Sequence, residues 1–171
     1  MSHFSIPDGL NIRPSKPSDA AFIRRLHSEV RQDLQQINAD QDFIESIVDM
    51  QFKAQTEGYG EKFPNAMYFI IEKHHHPIGK VTIDFGVNEV RIIDIGFISQ
   101  ARGHGFGAAI IQSFQHAAAD SCTPLTLTVE QSNVVAKALY LRLGFVSESV
   151  SAPYEFMIWY PAVMKKLVVN C

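Results

Sequence analysis

One segment constrains the fold more than any other. An apolar, β-branched run, Val90–Ile98, passes through Ser99-Gln100-Ala101-Arg102-Gly103-His104-Gly105-Phe106-Gly107 and enters a helical pattern over Ala108–Ala119, with Ile111, Phe114 and Ala118 inward. A strand that hands over to a helix through so tight a turn lets the helix pack back on the sheet, which predicts a layered α/β or α+β domain. The turn also carries chemistry. N–H groups at a helix start have no partner within the helix, and glycines without side chains let a phosphate come close to them. Arg102 adds a cation suited to a pyrophosphate. The plainer account is a turn whose glycines merely permit positive φ. Strand, arginine and helix together favour anion binding through Arg102, Gly103, His104, Gly105, Gly107 and Ala108.

The lysine and Ser/Thr of a P-loop are missing, because Ala108 and Ala109 follow Gly107. A dinucleotide fingerprint is harder to dismiss. Gly103, Gly105 and Ala108 satisfy its glycine–alanine variant, and Glu130 lies about where a ribose-binding acid is expected. Against it, the turn comes late, with too little chain after it to complete a doubly wound sheet. The runs Met67–Glu72 and Ile78–Asp84 also read as a hairpin across Lys73-His74-His75-His76-Pro77, which points to an antiparallel half-sheet.

Elsewhere the pattern alternates between strands and helices. Leu10–Arg13 is a short extended stretch halted by Pro14 and Pro17. Ser18 or Asp19 then caps a helix with Phe22, Leu26 and Val30 on one face. A second helix starts near Asp40, with Phe43, Ile47, Met50 and Ala54 repeating on one side, and stops by Gly58–Gly60. Leu125–Val129 is a strand, Asn133–Leu143 a helix ended by Gly144, and Tyr154–Tyr160 a late aromatic strand closed by Pro161. No repeat or linker interrupts 171 residues, so residues 1–171 are expected to form a single domain.

Composition then removes whole classes of function. A net charge of -3 gives no basic excess for nucleic acid. No apolar run approaches the roughly 18 residues of a membrane span, and the N-terminal MSHFSIPDG has neither a charged leader nor an apolar stretch. Two distant cysteines, Cys122 and Cys171, make no disulfide framework and fit a reducing compartment, so a cytoplasmic location is expected. His74, His75 and His76 invite a metal, but neighbours in a strand alternate sides and no Cys or acidic cluster completes a set; a solvated turn is the better account, and no metal is expected.

Downstream stands Asn133-x-x-Ala136-x-x-Leu139-Tyr140-x-x-x-Gly144-Phe145. Asn133, Ala136 and Tyr140 share one helix face. Ala136 keeps that face thin, Asn133 offers a donor and an acceptor, and Tyr140 brings a phenol; the plainer account is a half-buried helix with its Tyr tip in water. Together with the glycine turn, this segment resembles the GNAT superfamily of acyl-CoA-dependent N-acetyltransferases, most strongly over about Val90–Phe145. The resemblance implies a mixed, partly antiparallel central sheet flanked by helices. It implies acetyl-CoA as co-substrate, its pyrophosphate on the turn, its pantetheine arm flanked by Asn133 and Ala136. That arm would be held by backbone groups near Ile95 and Phe97 on a splayed strand.

Transfer from a thioester to an amine needs a base, an N–H donor for the carbonyl oxygen and an acid for the departing thiolate. Tyr140 is similar to the tyrosine that many members use as the acid. For the base, Asp94 is out of character in a buried strand. It would take the amine's proton, attract a cationic acceptor, or simply pair with a helix arginine. Glu130, at the end of the next strand, is the weaker candidate. Gln51, Gln55 and Tyr59 could bond a polar acceptor but read better as a solvated face, and Tyr154 and Trp159 read better as core than as cleft walls. The expected reaction is direct attack of a primary amine, small and cationic by the tilt of Asp94, on acetyl-CoA in a ternary complex. A dinucleotide-binding oxidoreductase and a non-catalytic acyl-CoA sensor are the alternatives. Members are often dimers, so the resemblance also carries a homodimer as an expectation.

Overall fold

The apolar runs become the strands of a mixed sheet in the computed structural model, which describes residues 6–30 and 63–169. The strands are β1 (Leu10–Pro14), β2 (Met67–Lys73), β3 (His76–Phe85), β4 (Val90–Phe97), β5 (Leu125–Glu130), β6 (Val146–Ser151) and β7 (Tyr154–Trp159), in the order β1-β2-β3-β4-β5-β7-β6. The described helices are α1 (Ala20–Val30), α2 (Phe106–Asp120), α3 (Val134–Arg142) and α4 (Ala162–Val169). Strand β1 runs antiparallel to β2, and β7 runs antiparallel to both β5 and β6. The β4–β5 pairing is parallel and short, from Val90↔Leu125 to Ile92↔Leu127. This is the expected mixed, partly antiparallel sheet, and its antiparallel flanks do not fit a doubly wound dinucleotide fold.

The chain forms two compact units. One comprises Gly9–Thr82 with Asp94–His104; the other comprises Ile83–Ile93 and Gly105–Cys171 with Met1–Asp8. In the first, Leu10, Leu26, Ile70, Ile71, Ile78 and Val81 are buried. Beside them lies a closed ionic network. Arg13 donates from Nη1 and Nη2 to both oxygens of Asp19, at 2.9 and 2.8 Å, and from Nε to Glu72 at 3.0 Å. Asn11 adds a bond to Glu72, and the Lys16 N–H donates to Asp19. Hydrogen bonds from Arg13 hold the Asp19 carboxyl down at about 2 and that of Glu72 below its usual range. Asp19 therefore does not cap α1 from outside. It closes the 3-10 turn Pro17–Asp19 by reaching back to Lys16, and α1 follows directly.

In the second unit the core comprises Ile83, Val90, Ile92, Ile110, Ile111, Phe114, Ala118, Leu125, Leu127, Phe145 and Met157. The inward face expected of the long helix is present, although α2 begins at Phe106 instead of Ala108, because Gly105 already turns the chain as its N-cap. Gly144 ends α3 at φ 95°. The buried Gln115 of α2 donates its amide to the Leu143 carbonyl at 2.9 Å, satisfying one of the carbonyls left over at the end of α3.

Two elements were not expected. Strand β6, Val-Ser-Glu-Ser-Val-Ser, is exposed at all six positions, so no buried face writes a period into its sequence. Helix α4 follows Pro161 as a short segment. The helix expected from Asp40, with Gln51, Gln55 and Tyr59, lies outside the described residues. The histidine turn is a tight hairpin connection in which His74 and His75 both take positive φ, 48° and 67°, the conformation that Asn-Gly pairs usually supply.

Candidate active site

In the first unit the site elements lie at the end of β4 and the turn after it. Ile98 donates its N–H to Ile78 O at 2.9 Å, so the polar groups of alternate residues face β3. Those of Ile95 and Phe97 consequently point away from β3, and both residues lie beyond the three-pair ladder with β5. Gly79 lets the two strands approach this closely. A Cβ there would sit 2.5 Å from Gly96 O and 2.9 Å from the Phe97 ring.

The turn is held from several sides. Arg102 folds back and donates from Nε to Phe97 O at 3.1 Å, which leaves its two terminal amino groups to face outward from an exposed side chain. The Ser99 N–H, the first donor of the 3-10 turn Ser99–Ala101, is accepted by the Glu29 carboxylate of α1 at 3.0 Å. Gly103 and Gly105 take φ 77° and 80°, and a Cβ at either would meet nothing within 4 Å. What requires glycine here is backbone conformation, and the space above both residues is open. His104 lies exposed between them; Gly107 and Ala108 form the first turn of α2, whose N-cap Gly105 makes no side-chain cap.

Asp94 is met by a lysine of the neighbouring strand and not by a helix arginine. Lys80 Nζ lies 2.9 Å from Asp94 Oδ2. The contact is ionic and not aligned as a hydrogen bond, so Oδ2 is buried without a directed one. The Ile98–Ile78 bond sets Thr82 opposite Asp94 and Lys80 diagonal to it, a cross-strand relation that the sequence alone does not show. Its place on the Ile78–Thr82 face of β3 was the available signal.

In the second unit Asn133 is the N-cap of α3, and its Oδ1 accepts the Ala136 N–H at 3.2 Å. Asn133 and Ala136 thus lie on one turn, with the acceptor of the Asn side chain committed to the helix and its amino group left over. Tyr140, two turns on, is buried with its ring 5.8 Å from that of Phe145. Glu130 is exposed, its backbone carbonyl taking the Asn133 N–H at 2.9 Å. Between Asn133 and Tyr140 on the same helical face stands Lys137. Its ammonium lies 2.9 and 3.2 Å from the two oxygens of the buried Glu155 on β7. Sequence reasoning missed this pair, since only the fold places residues 137 and 155 together. Tyr154 is exposed and Trp159 half-buried against Gly144. Among the described residues no group of three or more His, Cys, Asp or Glu is placed to hold a metal ion, and no helix is long and apolar enough to cross a membrane.

The strand, arginine-anchored glycine turn and helix lie within the stretch of the chain that matches a family of acetyltransferases. The profile of the Acetyltransferase (GNAT) family matches residues 26–145, and the chain belongs to that family. Among solved structures it is similar to the PaiA N-acetyltransferase of Thermoplasma acidophilum, determined with coenzyme A. The identity is 13%, the TM-score 0.67, and the match covers 88% of this chain and 98% of that one. An acetyltransferase from Thermus thermophilus is 21% identical with a TM-score of 0.64, over 88% and 96% of the two chains. The spermidine N-acetyltransferase of Vibrio cholerae, determined with CoA and spermine, is 18% identical with a TM-score of 0.59, over 90% and 96%. At these identities the likeness is one of fold. No curated protein matches the chain.

Proposed function

We propose that the protein is an N-acetyltransferase that moves an acetyl group from acetyl-CoA to a primary amine by direct attack in a ternary complex. The observation that carries this reading is the Arg102–Gly105 turn, with its open left-handed glycines and an arginine fixed on Phe97 O, in a member of this family. The pyrophosphate rests on the N–H groups from Gly103 to Ala108 and on Arg102. The backbone groups of Ile95 and the N–H of Phe97, whose carbonyl is held by Arg102, point away from β3 and pair with the pantetheine amides, with Asn133 and Ala136 along the same arm.

An amine with an ordinary pKa of about 10 arrives charged and must lose a proton before it attacks. Asp94 takes that proton, directly or through water, with Glu130 as the weaker candidate. The amine nitrogen forms its bond to the thioester carbon, the C–S bond breaks, and the CoA thiolate takes a proton from the Tyr140 hydroxyl; the surplus proton on the new amide nitrogen passes through solvent to restore the tyrosine. Acetyl-CoA titrated into the purified protein is expected to bind in the micromolar range, NAD not at all. Arg102→Ala should weaken binding by roughly tenfold or more, the loss of one charge-assisted contact. Tyr140→Phe should keep that affinity while turnover falls about a hundredfold. Binding of NAD without acetyl-CoA would sink the reading, and a Tyr140→Phe variant with unchanged turnover would remove the acid role.

A further inference from the structure

The Lys80–Asp94 pair has a consequence for the acceptor. Both residues belong to one unit, on adjacent strands, with Nζ 2.9 Å from Oδ2. Neither side chain is sealed off: Lys80 keeps 17% and Asp94 22% of its surface exposed. Since Oδ2 itself is buried, Oδ1 is the carboxylate oxygen left to face outward, and among the described residues no donor meets it. Solvent thus sees an ammonium and a carboxylate side by side.

A lone carboxylate on this strand would draw in any cation, and a polyamine best of all, because each further ammonium adds to the attraction. With Lys80 in contact the local charge sums to zero and the field falls off as that of a dipole. A second or third ammonium then meets Lys80 and gains nothing. A molecule whose amine and carboxylate lie a few ångströms apart presents the mirror image of the pair. Its ammonium can donate to Asp94 Oδ1 while its carboxylate accepts from the Lys80 ammonium, two charge-assisted contacts in antiparallel arrangement. We propose that Lys80 and Asp94 select a small zwitterionic acceptor, an amine of the amino-acid class, over a polyamine. This rests on the transferase reading above, with Asp94 as the group that receives the amine's proton. Lys80 is the specificity-determining residue. It touches the acceptor's carboxylate, takes no part in proton transfer, and biases recognition toward acceptors that carry an anion beside the reacting nitrogen.

The test compares each amino acid with the amine formed by removing its carboxylate, such as ornithine with putrescine and lysine with cadaverine, beside spermidine. Acetyl-CoA titration is run in parallel. The wild-type protein is expected to show a kcat/KM at least tenfold higher for the amino acid of each pair. Lys80→Gln should erase or reverse that ratio, chiefly through KM, with acetyl-CoA affinity unchanged, and Lys80→Arg should restore it. Intact acetyl-CoA binding with equal or better turnover of the decarboxylated amines or spermidine overturns the acceptor assignment and leaves the transferase reading standing. So does a Lys80→Gln variant that slows every acceptor alike. Failure of the wild-type protein to bind acetyl-CoA overturns both. If Lys80→Gln does not fold, the wild-type ratios alone decide.

Discussion

Carboxylates within one unit are treated in opposite ways. Asp19 and Glu72 are locked by Arg13, with Lys16 and Asn11 completing the set, and every bond is a directed one of 2.8–3.2 Å. Asp94 has a single ionic neighbour, off axis, and one oxygen turned outward. A buried carboxylate whose two oxygens are both bonded by its own scaffold serves stability. One left with capacity has something else to bind. The contrast in bonding runs with one in burial: the Asp19 and Glu72 side chains keep 8% and 11% of their surface exposed, that of Asp94 22%.

The contrast can be broken by experiment. Arg13→Ala leaves two carboxylates without their cation and should lower the unfolding free energy by roughly 3 kcal/mol, read from denaturant midpoints, with turnover of the still-folded fraction preserved. Asp94→Asn should do the reverse: kcat/KM falls about a hundredfold or more while the melting temperature moves little. If Asp94→Asn melts the protein as badly as Arg13→Ala, Asp94 is scaffold after all. Acid provides a finer probe. Asp19 is held at about 2 when folded against an ordinary value of 3.8, and Glu72 is lowered in the same direction. The unfolded chain therefore takes up these protons first. Stability from the network is complete above about pH 5 and drains away as pH falls through 3.8 toward 2. Arg13→Ala should flatten that part of the pH–stability curve. The smallest effect belongs to Gly105→Ala. The added methyl meets no atom, so the cost is that of holding an L-residue at φ 80°, about 1 kcal/mol, together with weaker acetyl-CoA binding in a titration.

Much of this molecule was legible in its residues, and the gaps have physical reasons. The strand, glycine turn and helix of Val90–Asp120 could be read because periodicity, glycine spacing and Arg102 all agree over one continuous stretch. The capping of α3 by Asn133 is just as local, yet the residue read as the first of the helix and as a ligand contact, not as its cap. Whatever depends on which residues meet across elements was hidden: Lys80 diagonal to Asp94, Glu29 on the Ser99 N–H, Lys137 on Glu155. Even the partner expected for Asp94, an arginine from a helix, was of the right charge and on the wrong element. Strand β6 escaped because exposure on both faces leaves no pattern to find. The Asp19 cap misled for a subtler reason: the residue type was suited to the position, but Arg13 competed for its oxygens.

The bond from Gln115 to Leu143 has a bearing on motion. It is a fastener between the helix that begins at the glycine turn and the helix that carries Tyr140, and it grips the latter at its C-cap, the end where helices ordinarily fray first. Neither helix can loosen there without dragging on the other. Amide protons near Leu143 and those on the inner side of α2 should accordingly exchange with deuterium through one shared opening event. Cutting the fastener, as in Gln115→Leu, should let the two clocks run apart.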